Sequence, residues 1–113
     1  MIKIYHNPRC KKSREGMAIL ENSGKEFEIV NYLNDFPTEK ELSEIIKMLA
    51  ISPIQLVRKT EKIWKENYKG KALSDAEIIT AMIQNPKLIE RPIVIHNNKA
   101  VIGRPPENIL ELL

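Results

Sequence analysis

The sequence has a single cysteine in 113 residues. One thiol cannot close an internal disulfide, and it cannot build a zinc site from cysteine pairs. Aromatic residues make up only 5%, too few for an evident base-stacking platform, and no nucleic-acid partner is expected. No apolar run approaches the length of a bilayer-spanning helix, so no membrane partner is expected either. The opening segment MIKIYHNPRC lacks a long apolar stretch and a small-residue cleavage site. A secretory leader is therefore not expected, and a reducing, cytoplasmic setting is. Neither sign of charge dominates: 18 basic against 15 acidic residues leave +3. That balance favours anionic ligands in general without implying a polyanion. Neither histidine, His6 or His96, has metal-site spacing, and no metal is expected.

What is present fits a folded chain of one domain, residues 1–113. Hydrophobic residues are 42% and charged residues 29%, close to globular averages. Ile2 to Tyr5 alternate and are β-rich, which predicts a strand. His6-Asn7-Pro8-Arg9 has turn composition. From Cys10 to about Asn22 the pattern is helical, with Gly24 where a C-terminal glycine belongs. Phe27, Ile29, Val30 and Tyr32 predict a second strand, completing a βαβ unit.

The middle, about 36–86, reads as wholly helical. Thr38 with Glu41 and Ser74 with Glu77 form capping-box patterns ahead of apolar i, i+3, i+4 runs. Ser52-Pro53 opens a short helix, Thr60 or Glu61 another, and Asn85-Pro86 stops the last. Ile93 to Ile95 and Lys99 to Ile102 then predict a hairpin around Asn97-Asn98. Pro105 or Pro106 opens a final helix, and His96 at the hairpin end is expected to be exposed. The fold class is α/β: a four-stranded mixed sheet with an inserted helical block.

Cys10 follows a strand and a Pro-containing turn and sits in the first turn of a helix. Unpaired N–H groups and the positive end of the helix dipole favour a thiolate there and cradle anions. Arg9, Lys11, Lys12 and Arg14 bracket it. A free cysteine is also a common buried apolar side chain, but this placement favours a reactive one. Ser13 stands where a dithiol motif has its second cysteine, so a resolving thiol must come from outside. His6 either bonds the thiolate or caps the turn. Arg58, Arg91 and Arg104 would make an oxyanion pocket if they converged, and otherwise are surface residues.

The run His6-Asn7-Pro8-Arg9-Cys10-Lys11-Lys12-Ser13-Arg14 resembles the H-N-P-x-C-x-x-S-R motif of the glutaredoxin-coupled arsenate reductases, the ArsC family. Leu56-Val57-Arg58-Lys59, Asn85-Pro86-Lys87-Leu88-Ile89, Arg91-Pro92-Ile93-Val94 and Gly103-Arg104-Pro105-Pro106-Glu107 extend the resemblance along the chain. It implies a thioredoxin-like fold and a cis peptide before Pro92. It implies Cys10 as nucleophile, Arg58, Arg91 and Arg104 as oxyanion ligands, and His6, Ser13 and Arg14 tuning the thiol or lining the anion loop. The implied substrate is arsenate, with no bound cofactor, glutathione as reductant and glutaredoxin as partner. Lys11-Lys12 departs from the small residues usual after the cysteine. That departure points to an ArsC-like branch and leaves open a glutathione-dependent thiol oxidoreductase of another substrate. It also leaves open a non-enzymatic regulator like the related Spx transcriptional regulators, although those usually carry C-x-x-C, which Ser13 breaks.

Overall fold

A computed structural model describes residues 2–35 and 37–113. The chain forms two compact units, one from Met1–Asp35 with Arg91–Leu113, the other from Phe36–Glu90. Phe36, where the helical block was expected to begin, lies outside the described residues.

The first unit holds the sheet. Strand β1 (Ile2–Tyr5) leads through the turn into α1 (Lys11–Asn22) and then β2 (Phe27–Val30). Strands β3 (Ile93–His96) and β4 (Lys99–Ile102) follow late in the chain, before a 3-10 helix, Pro106–Leu112. The strand order is β2-β1-β3-β4. β1 pairs parallel with β2, Ile4 opposite Ile29, because α1 carries the chain back to the same end. β3 runs antiparallel to both β1 and β4. Asn97 and Asn98 turn the hairpin at φ 52 and 63, the left-handed pair that a two-residue turn requires and asparagine tolerates. Ile2 and Ile4 share one face and meet Leu20, Val94 and Ile109 in a buried cluster. Each such side chain contributes about 1.5–3 kcal/mol relative to exposure.

The second unit is helical, as its capping boxes predict. It contains α2 (Glu39–Leu49), a 3-10 turn at Pro53–Leu56, α3 (Lys62–Asn67), α4 (Asp75–Gln84) and a 3-10 turn at Pro86–Leu88. Both boxes close reciprocally at Thr38–Glu41 and Ser74–Glu77. Leu42, Ile45 and Ile46 of α2 and Ile78, Ala81 and Met82 of α4 are buried, following the helical period. A bridge between Val57 and Ile89 ties the two 3-10 turns, with Arg58 N–H on the Leu88 carbonyl at 2.7 Å and Glu90 N–H on the Leu56 carbonyl at 2.9 Å.

Three expectations are corrected. Tyr32 lies beyond β2, in a turn, although it is 1% exposed; its burial imitates strand periodicity. The final helix is 3-10 rather than α over Pro106–Leu112. His96 is half-buried, and its Nδ1 donates to the Leu112 carbonyl at 2.7 Å. Beside the expected cis peptide before Pro92, a second joins Arg104 to Pro105.

Candidate active site

The turn after β1 is built from its own polar groups. His6 N–H donates to the Val30 carbonyl at 2.9 Å, which anchors the end of β1 to β2. The Asn7 carbonyl accepts Cys10 N–H at 3.0 Å. Asn7 Oδ1 accepts Arg9 N–H at 3.0 Å, the side-chain mimic of a backbone turn that asparagine provides. Arg14 donates from Nη1 to the Pro8 carbonyl at 3.1 Å, closing the loop from the far side. Cys10 is the N-cap of α1, with extended backbone at φ −93 and ψ 123, and is half-buried.

Two arginines reach this sulfur. Arg104 Nη2 lies 3.3 Å from Cys10 Sγ across 94 residues of sequence. Arg104 is oriented by a second bond, from Nε to the Arg91 carbonyl at 2.8 Å. Arg91, 8% exposed, also donates to the sulfur through its side chain. The consequence for the thiol is a contest. Burial pushes its pKa up. The Ser13 backbone N–H, the Arg91 hydrogen bond, the Arg91 charge and the Lys12 backbone N–H pull it down, and the net result is a lowered value. No side-chain cap bond forms at Cys10. A thiol below its ordinary value, half-exposed and facing two guanidinium groups, has the chemistry to attack an electrophile and to sit beside an anion.

His6 and Ser13 form a buried polar pair. Ser13 is fully buried, and its Oγ accepts Asn7 N–H at 3.0 Å and lies 2.6 Å from His6 Nδ1. An amide N–H only donates, so the Ser13 hydroxyl proton is left for His6 Nδ1. Burial lowers the His6 pKa, a hydrogen bond to the Ser13 backbone partly opposes this, and the Arg14 charge lowers it further, leaving a net downward shift. Ser13 therefore acts on Cys10 through its backbone, and Arg14 acts on the loop and on His6.

Arg58 belongs to the second unit, where it pairs with Glu61 at 3.0 Å and Glu90 at 3.5 Å. Lys11 and Lys12 are exposed, and Lys12 turns to Glu15 at 3.4 Å. Among the described residues, no cluster of three His, Cys, Asp or Glu residues could hold a metal ion, and no helix is long and apolar enough to cross a membrane. Sequence reasoning placed the turn at Asn7-Pro8 but missed that the Asn7 side chain accepts Arg9 N–H. It also missed the backbone donor at Lys12, which no side-chain pattern announces.

The comparisons agree with this geometry. The ArsC family pattern matches residues 5–112. The Escherichia coli protein YfgD is 47% identical over 114 residues, covering 99% of this chain and 96% of its own. An arsenate reductase of Haemophilus influenzae is 46% identical over 112 residues, covering 97% of each. The solved structure of an arsenate reductase from Vibrio cholerae has a TM-score of 0.95 at 44% identity, covering 99% of this chain and 97% of that one. With family pattern, near-complete relatives and superposable thioredoxin-like architecture in agreement, this chain belongs to the ArsC family.

Proposed function

We propose that the protein is an arsenate reductase in which Cys10 is the nucleophile. The observation that carries this reading is the meeting of Arg91 and Arg104 on the sulfur of a thiol held below its ordinary pKa. Arsenate is a tetrahedral oxyanion, and two guanidinium forks beside a helix N-terminus match its charge and geometry. The family resemblance adds Arg58 as a third ligand and places His6, Ser13 and Arg14 in supporting roles.

In the first step the Cys10 thiolate attacks arsenic. A sulfur–arsenic bond forms, an arsenate oxygen leaves as water after protonation, and arsenic remains pentavalent. Arg91 and Arg104 stabilise charge on the arsenic oxygens as this adduct forms. In the second step a glutathione thiolate attacks Cys10 Sγ. A disulfide forms, and the sulfur–arsenic bond breaks with its electron pair passing to arsenic, which leaves as arsenite. Cys10 now carries glutathione. Ser13 cannot release it, because a hydroxyl has no thiol chemistry, so glutaredoxin attacks the glutathione sulfur and restores the Cys10 thiolate. The reducing equivalents come from partner thiols, as expected of a cytoplasmic enzyme with no bound cofactor. The domain reading that goes with this is one functional module, the helical unit being an insertion in the thioredoxin-like one.

The two lysines that depart from the family pattern do not redirect this reading. Both are exposed, and Lys12 is engaged with Glu15. The test is arsenite formation from arsenate with glutathione and glutaredoxin. Cys10→Ser is expected to lose at least about a thousandfold in turnover. Turnover retained in that variant sinks the proposal.

A further inference from the structure

Gly16 and Gly103 lie far apart in sequence, yet a β-carbon built on either meets the same atoms. Each would stand 2.8 Å from Pro92 Cγ and 3.0 Å from Ile109 Cδ1. For Gly103 a third atom, Ile109 Cγ1, follows at 3.3 Å. Neither glycine has a left-handed φ, so backbone freedom is not what calls for glycine there. Space is. Pro92 and Ile109 are fully buried. A proline ring can yield only by a change of pucker, and Pro92 is fully packed, so a methyl group at position 103 presses the strain onto the Pro92 backbone.

That strain falls on the site. Pro92 follows Arg91, and Gly103 precedes Arg104. The two segments are joined by two bonds of 2.8 Å, Gly103 N–H to the Pro92 carbonyl and Arg104 Nε to the Arg91 carbonyl. The distance between the segments sets where both guanidinium groups stand relative to Cys10. We propose that Gly103 is a positioning residue for the reaction: its bare α-carbon lets Pro92 seat between β4 and α1, and this seating brings Arg91 and Arg104 together on Cys10 Sγ. Gly16 is the matching bare position on α1, the helix whose start carries that sulfur. This inference rests on reading Cys10 as the nucleophile. It does not rest on arsenate being the substrate.

The experiment titrates the thiol itself, by iodoacetamide alkylation rate against pH, with and without sulfate as the oxyanion probe. Gly103→Ala is expected to slow alkylation below the wild-type thiol pKa by about three- to tenfold, the loss expected for a rise of half to one unit. It is also expected to weaken sulfate protection. Ile109→Val trims the same slot, so it should lower Tm and leave the thiol profile in place. The double variant Gly103→Ala with Ile109→Val should recover part of the lost reactivity, which general loosening would not do. A folded Gly103→Ala protein with the wild-type alkylation profile and sulfate response overturns the proposal. Should that variant fail to fold, Gly16→Ala decides in the same way. Alanine is favoured over glycine inside a helix, so a slower thiol there reports the Pro92 contact, and a wild-type profile overturns the proposal. Failure of arsenate turnover in the wild type would leave all these outcomes readable.

Discussion

At the start of α2, Thr38 Oγ1 accepts Glu41 N–H at 3.1 Å and Glu39 and Glu41 occupy the first turn. At the start of α4, Ser74 Oγ accepts Glu77 N–H at 3.2 Å and Asp75 and Glu77 do the same. At the start of α1 the first turn holds no acidic residue, and Lys11 and Lys12 stand there instead. These two helices of the second unit neutralise their N-terminal ends with their own carboxylates. The first unit leaves the start of α1 electropositive and places a sulfur at it. The same physics acts on both. Ser74, through its backbone N–H and then its hydroxyl, holds the Glu77 carboxyl below its ordinary value despite a small opposing effect of burial. At α1 the amides of Ser13 and Lys12 pull a thiol down in the same sense. A helix end saturated by capping boxes is a structural joint, and one left open is available to a ligand.

The largest break in this comparison comes from the arginines that complete the open end. Arg104→Ala should lower kcat/KM for arsenate by about a hundred- to a thousandfold and raise the thiol pKa. Arg104→Lys should restore little, since an ammonium cannot bond the Arg91 carbonyl and face the sulfur with a planar fork. Steady-state kinetics with thiol titration measures both. Next, Thr38→Ala should cost about 1 kcal/mol in urea unfolding and leave Cys10 alkylation unchanged. A shift in thiol reactivity there would undo the division between structural and functional helix ends.

Smaller again is Lys11→Glu, which gives α1 the acid its siblings have. Stability should rise by about 0.3–1 kcal/mol while alkylation slows. A gain in both would mean that the open end carries no functional role. The smallest effect is expected from His6→Gln. Burial, the dominant influence, keeps His6 below its ordinary 6.5. As pH falls through that value the unfolded chain takes up a proton before the native one, and native stability declines until the folded value is passed. The variant should flatten this acid limb, as urea titrations from pH 7.5 to 5 would show; an unchanged slope would mean that His6 does not titrate differently on folding.

How far these features could be read from the residues follows from their range. The capping boxes and the Asn97-Asn98 turn are local, with cause and effect within three residues, and they were legible. Cys10 at a helix start was legible for the same reason. The convergence of Arg91 and Arg104 was not, because it depends on β3 pairing with β1 and β4 with β3; only the family resemblance supplied it. His96 looked exposed because its partner, the Leu112 carbonyl, lies 16 residues away. Tyr32 was misread for a subtler reason. A buried aromatic two residues beyond a strand continues its alternation without lengthening the strand.

The place of β3 in the sheet has a consequence for the chain as it is made. A ribosome delivers Cys10 94 residues before Arg104, and β1 and β2 are both made before β3, which pairs on the other side of β1. Until that late strand docks, the thiol has a helix start but neither arginine. The arginine part of its environment is therefore added last, so that an incomplete chain exposes a cysteine without its guanidinium partners.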